Sequence, residues 1–173
     1  MQVFGGHGFI AEWGMEQFVR DARINMIYEG TNTIQSLDLL GRKVLTDMGA
    51  KLMKFGKLIQ AFAAENQDKP EMAEFLAPLA DIGDKVTKLT GEIGQKAMKN
   101  PEEVGAAAVP YLRVVGHMVY SYFWARMARI ALDHQDGADA GFYKAKLATA
   151  RFYFAKLLPE TAYQIRAARA GAD

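Results

Sequence analysis

Phe75-Leu76-Ala77-Pro78-Leu79-Ala80-Asp81-Ile82-Gly83-Asp84-Lys85-Val86-Thr87-Lys88-Leu89-Thr90-Gly91-Glu92-Ile93 sets Phe75, Leu79, Ile82, Val86, Leu89 and Ile93 at alternating steps of four and three. That spacing gathers six large apolar side chains into one seam along a helix, the pattern of nearly antiparallel bundle packing. Gly83, Gly91 and Gly94 lower the helix propensity of the same run and mark places where a neighbour could come close. Upstream, Val44, Met48, Leu52, Phe55, Ile59 and Phe62 repeat the spacing, predicting a helix over 41–66 that stops between Asn66 and Pro70. Lys51, Lys54 and Lys57 fall on a different face of that helix, read as solvated surface.

Downstream, Asn100-Pro101 closes the central helix, and Glu102-Glu103 suit the positive end of the next one. A third helix over about 103–134 is apolar on nearly every side and is expected to be the most enclosed, with Pro110 as a point of kinking or restart. After Gln135-Asp136-Gly137 a fourth helix is expected over about 138–168, packing through Phe142, Ala145, Phe152, Ala155 and Leu158 and bent at Pro159. No useful strand-like alternation occurs, so the fold class is all-α. Residues 41–173 form an up-down helical bundle, preceded over 1–40 by a short, glycine-rich, irregular and helical segment.

Composition narrows the function classes. Lys and Arg nearly cancel Asp and Glu, leaving a formal charge of +1, so no global field draws in nucleic acid or an anionic membrane. Cysteine is absent, which removes disulfides, thiolate metal sites and cysteine nucleophiles and fits a reducing compartment. The opening Met1-Gln2-Val3-Phe4-Gly5-Gly6 lacks the basic start and apolar run of a secretory signal, and the most apolar stretch carries Arg113, His117, Arg126 and Arg129. The expectation is a cytoplasmic chain with no transmembrane segment. His117 and His134 share no ligand spacing with each other or with a carboxylate cluster, so packing or surface roles are expected and no metal. The aromatic residues at 120–124 and 152–154 are read as bundle core.

Chemistry concentrates in the first segment. Gln2-Val3-Phe4-Gly5-Gly6-His7-Gly8-Phe9 holds three glycines in four positions, suited either to tight turns or to main chain lying against a cofactor. In Ile27-Tyr28-Glu29-Gly30-Thr31, a carboxylate between apolar residues and a glycine can lose solvation, gaining the raised pKa of a general base. Local chemistry alone leaves an ordinary surface glutamate, or one meeting a helix dipole, equally open.

The order of three motifs adds a resemblance. Gln2-x-x-Gly5-Gly6-x-Gly8-Phe9, then Arg20-Asp21-Ala22-Arg23-Ile24, then Ile27-Tyr28-Glu29-Gly30-Thr31 with Ile34-Gln35, resembles the C-terminal signature of acyl-CoA dehydrogenases over about residues 1–43. The helices that follow are similar to the additional C-terminal domain of the longer bacterial members. The resemblance implies that Glu29 is the catalytic base, removing the α-proton of an acyl-CoA while a hydride leaves the β-carbon for FAD. It implies that Tyr28 and Gly30 border the substrate, and that Thr31 and Thr33 touch FAD. Gln2 and Gly6 would meet FAD from a neighbouring subunit, which implies a homo-oligomer. Thr33 stands where many relatives carry a longer polar residue, and His7 fills the variable slot of the glycine motif.

Electrons would pass to an electron-transfer flavoprotein. The family's flavin-binding β-domain is missing, so the chain is expected to be a truncated piece of a longer protein, inactive and without flavin by itself. The domain division expected is thus 1–40, the end of the catalytic domain, and 41–173, the additional bundle. A helical assembly module without catalysis, and an acyl-CoA oxidase, are the alternatives carried forward.

Overall fold

A computed structural model describes residues 1–28 and 30–172. The chain divides into two units, Met1–Ser36 and Leu37–Asp173. Among the described residues all regular structure is helical.

The second unit begins with a π-helical stretch, Asp38–Leu45, followed by four helical legs. They are α3 (Ala50–Asn66), α4 (Ala73–Ala97), α5 (Glu102–Asp133) and a last leg made of α6 (Ala140–Phe152), a π segment (Tyr153–Leu157) and α7 (Glu160–Ala170). The numbering leaves α1 and α2 for the first unit. The seam of α4 is buried at every position anticipated: Phe75, Leu79, Ile82, Val86, Leu89 and Ile93 are each at most 2 % exposed. Each side chain of this size contributes about 1.5–3 kcal/mol by leaving water, so the seam dominates the energetics of the bundle.

α5 is the central strut, packing against α4, α6 and α7. Its small residues Ala107, Ala108, Ala125, Ala128 and Ala131 allow close approach and are almost fully buried. Its enclosure is one-sided, however, because Tyr120, Phe123 and Ile130 stay exposed. Pro110 lies inside a continuous helix and does not restart it. Buried polar groups are paired across the legs. The Tyr111 hydroxyl lies 2.7 Å from Thr90 Oγ1, and Arg129 Nε donates to Asn66 Oδ1 at 2.9 Å. Burial pushes the Tyr111 phenol above its ordinary value.

Two of the anticipated helices are broken. Residues 41–66 are not one rod, because Met48 (φ 52°) and Gly49 (φ 78°) are both left-handed and separate the π-helical stretch from α3. Gly49 N–H donates to the Val44 carbonyl at 2.8 Å, closing that turn. Met48, expected on the packed face, is consequently 90 % exposed.

The last leg is interrupted at Tyr153–Leu157, where Leu158 N–H reaches back five residues to the Tyr153 carbonyl at 3.0 Å. The buried positions are Leu147, Ala150, Tyr153, Leu158 and Ile165, whereas Phe142, Ala145, Phe152 and Ala155 are exposed. The expected packing face was therefore out of phase, except at Leu158. Of the three glycines of α4, only Gly94 lies against a neighbour, with Leu45 Cδ2 at 3.5 Å from where a Cβ would sit.

Charged clamps tie the last leg to α4. Arg151 grips Glu74 through Nε and a terminal nitrogen at 2.8–3.1 Å, and Arg169 grips Glu92 at 2.6 and 3.1 Å. Both pairs are 77 residues apart in sequence. The Arg169 guanidinium holds the Glu92 carboxyl below its ordinary value. Between α5 and the last leg, His117 Nδ1 lies 2.9 Å from the Tyr153 hydroxyl, which also donates to the His117 carbonyl at 3.1 Å. Burial pushes the Tyr153 phenol up to about 12. Both histidines of the bundle thus have packing roles, since His134 stacks on Tyr143 with ring centroids 4.9 Å apart.

Candidate active-site segment

The first unit supplies every residue singled out for chemistry. It opens with the 3-10 segment Gln2–Phe9, interrupted at Gly5 (φ 57°, ψ −141°). Gly8 has no room for a side chain, because a Cβ there would lie 2.2 Å from the Met1 carbonyl oxygen. Gly6 differs: nothing stands within 4 Å of its missing Cβ, so its main chain is open to an incoming group. Gln2 is exposed beside it. His7 packs edge-on against Trp13 at 5.7 Å, and Phe4 lies 6.4 Å from the same ring. These contacts had no sequence signature, because a turn brings together residues at no helical or strand spacing.

Gly14 (φ 69°) then turns the chain into α1 (Met15–Arg23). The polar face of α1 carries a ladder in which Gln17 Nε2 donates to Asp21 at 2.7 Å. Arg20 donates to Gln17 at 2.8 Å and pairs with Glu16 at 3.3 Å. Exposed links of this kind are each worth well under about 1 kcal/mol, so they order the surface more than they stabilise it.

A short 3-10 turn, Ile24–Met26, leads to Ile27 and Tyr28, whose N–H groups both donate to the Ile24 carbonyl, at 2.9 and 3.1 Å. Glu29 lies outside the described residues. Ile27 and Tyr28 are 58 % and 51 % exposed, so the chain segment before Glu29 does not by itself remove solvent from that position. On the other side, Gly30 has φ 114°, a conformation reserved for glycine. Gln35 Nε2 and Ile34 Cγ2 stand 2.9 and 3.2 Å from where a Cβ would be, so space and backbone angle both require glycine.

Thr31 precedes α2 (Asn32–Leu37) and caps it. Its Oγ1 accepts from Ile34 N–H at a long 3.5 Å, while its carbonyl accepts from Gln35 N–H at 3.0 Å. Thr33 is exposed on the same helix, and its carbonyl accepts from the Ser36 hydroxyl at 2.7 Å. The structure therefore brings Tyr28, Gly30, Thr31 and Thr33 together around the start of α2. Gln2 and Gly6 lie on the opening segment, and among the described residues no hydrogen bond joins the two groups.

Few residues of this unit are buried, and large apolar side chains remain open: Val3 is 98 % exposed, Phe9 77 % and Phe18 67 %. Such a surface is what remains when apolar faces lack their covering. Among the described residues no group of three or more His, Cys, Asp or Glu could hold a metal ion. No helix of the described residues is long and apolar enough to cross a membrane.

Comparisons with known proteins follow the same division. Residues 1–45 match the family described as "Acyl-CoA dehydrogenase, C-terminal domain", and residues 55–173 match "Acetyl-CoA dehydrogenase C-terminal like". The chain is 32 % identical over 169 residues to a broad-specificity linear acyl-CoA dehydrogenase of Mycobacterium tuberculosis. It is 37 % identical over 162 residues to a 3-methylmercaptopropionyl-CoA dehydrogenase of Ruegeria pomeroyi. It is also 31 % identical over 164 residues to a butyryl-CoA dehydrogenase of Syntrophomonas wolfei. Each alignment takes in 92 % of this chain but only 27–28 % of the relative.

Proposed function

Because the chain belongs to the acyl-CoA dehydrogenase family, we propose that it is the C-terminal portion of an enzyme that dehydrogenates an acyl-CoA thioester between its α- and β-carbons. Glu29 serves as the base that removes the α-proton. The observation that supports this reading is the ordered set of motifs in 1–36, together with a backbone at Gly30 that only glycine can adopt. A thioester α C–H is a weak acid, so its base must be aligned and stripped of water in the substrate complex. Gly30 and Tyr28 border the acyl group in this reading, and the Glu29 N–H helps to hold the thioester carbonyl.

The residues present fit the flavin contacts expected of them. Thr31 and Thr33 are exposed, and Gly6 leaves its main chain open with Gln2 beside it. FAD, when bound, supplies the acceptor for the β-hydride. Gln2 and Gly6 reach FAD of a neighbouring subunit in a homo-oligomer, and an electron-transfer flavoprotein collects the electrons. The exposed apolar side chains of the first unit are the surface that the remaining polypeptide covers, and the isolated chain holds neither flavin nor activity.

In the complete protein, Glu29→Gln is expected to preserve flavin absorbance and to lower α,β-dehydrogenation by a factor on the order of 10²–10⁴. Full turnover in that variant would sink the assignment. A yellow preparation of the isolated chain would contradict the statement that it holds no flavin.

A further inference from the structure

A groove of about 1050 Å³ runs along the second unit, with α3 on one side and α4 on the other. Its lining is mostly apolar, and three features separate it from a gap between legs. The first is bare backbone. Gly56 on α3 and Gly83 and Gly91 on α4 line it, and nothing stands within 4 Å of where a Cβ would sit on any of them. The second is its methionines. Met118 forms part of the floor, and Met48, Met53 and Met98 line it while 90 %, 57 % and 81 % exposed. Unbranched thioether side chains re-pack readily against an incoming apolar surface, which is why methionine recurs where helices are captured. The third is charge. Lys57 lines the groove from α3 and Asp84 from α4; both are exposed, and neither belongs to an ion pair among the described residues. Lys54 extends the cationic side by nearly one turn.

We propose that this groove docks an amphipathic helix whose apolar stripe is edged by carboxylates toward α3 and by cations toward α4. A helix fits better than an alkyl chain. Bare helical backbone on both walls admits the large side chains of a partner helix, and opposite unpaired charges on the two walls match the two flanks of an amphipathic stripe. An alkyl chain would satisfy neither charge. This inference concerns only the second unit and does not depend on the role of Glu29.

The chain contains no cysteine, so Met53→Cys introduces a single thiol for an environment-sensitive fluorophore at the groove. Two synthetic 18-residue helical peptides with the same leucine stripe serve as probes. One carries Glu on one flank and Lys on the other, and the second carries Lys on both flanks. The split-flank peptide is expected to bind the full chain at least about ten-fold more tightly. A Gly83→Leu/Gly91→Leu variant, which raises helix propensity and fills open space, is expected to keep its helical circular dichroism and melting temperature while losing that binding at least about ten-fold. Equal affinity for the two peptides, undiminished binding to the leucine variant, or no binding at millimolar peptide would overturn the proposal. So would self-association by light scattering that the leucine variant abolishes, since the occupant would then be a second copy of the chain.

Discussion

The two units of this chain divide its information in opposite ways. Met1–Ser36 holds ordered motifs of high specificity and almost no interior, whereas Leu37–Asp173 holds a deep apolar core and no chemical motif. Glycine and turn residues placed at fixed points say what a segment must touch. A heptad seam says only that helices must pack. The contrast teaches that stability and chemistry are encoded here by different residues, so each can be perturbed almost without the other.

The largest effect on stability is expected at the core of the second unit. Phe75→Ala removes a fully buried ring from the α4 seam and is expected to cost about 3–5 kcal/mol, measured by urea denaturation. A loss below about 1 kcal/mol would show that the seam is not the energetic centre.

Next comes the buried phenol of Tyr153. Its folded pKa of about 12 exceeds the ordinary value of 10, so the unfolded chain deprotonates first. Stability contributed by the neutral phenol is present below pH 10 and is lost as pH rises from 10 toward 12. A two-unit shift corresponds to a swing on the order of 2 kcal/mol. In Tyr153→Phe the stability profile over that window should flatten, and an unchanged slope would refute the link.

Smaller again is the clamp at the end of the last leg. Arg169 depresses the Glu92 carboxyl below 4.5, so its contribution is present above that pH and lost as pH falls through the lower folded value. Both partners are partly exposed, which limits the pair to about 0.2–1 kcal/mol. Arg169→Ala should therefore lower stability slightly near neutral pH and make the acid limb shallower, as read from melting temperatures between pH 3 and 7.

The smallest effect is expected at Phe18, a ring as large as Phe75 but 67 % exposed. Phe18→Ser in the isolated chain should change stability by less than about 0.5 kcal/mol. A large loss would mean that the first unit is better packed than its exposure indicates, and the comparison between the units would fail.

Much of this was legible in the residues. The α4 seam was fully specified by spacing, because a helix buried along one face reports its period directly. The second and third helical legs also fell close to their expected spans. What spacing could not show was where the phase resets. Met48 continued the apolar series of its neighbours, yet a left-handed pair at Met48 and Gly49 turned it into solvent. The Tyr153–Leu157 stretch changed which residues of the last leg face inward, and Phe142 and Phe152 moved outside.

The site was legible as order, not as geometry. The glycine requirement at Gly30 has a clear backbone cause, and Thr31 caps a helix that the motif does not announce. Exposure at Ile27 and Tyr28 could not be read from their apolar character, because covering depends on surfaces distant in sequence.

The equal 77-residue spacing of the Arg151–Glu74 and Arg169–Glu92 pairs makes the last leg a ruler. Between its two clamps the leg advances in step with α4, and the π segment contributes its surplus residue within that interval. Deleting one residue from Tyr153–Leu157 would restore ordinary helical winding while swinging α7 by about 100° around its axis, carrying Arg169 away from Glu92 but leaving Arg151 in place. Chain length in this stretch is therefore under tighter constraint than residue identity, and homologous bundles should vary here by substitution before they vary by insertion or loss.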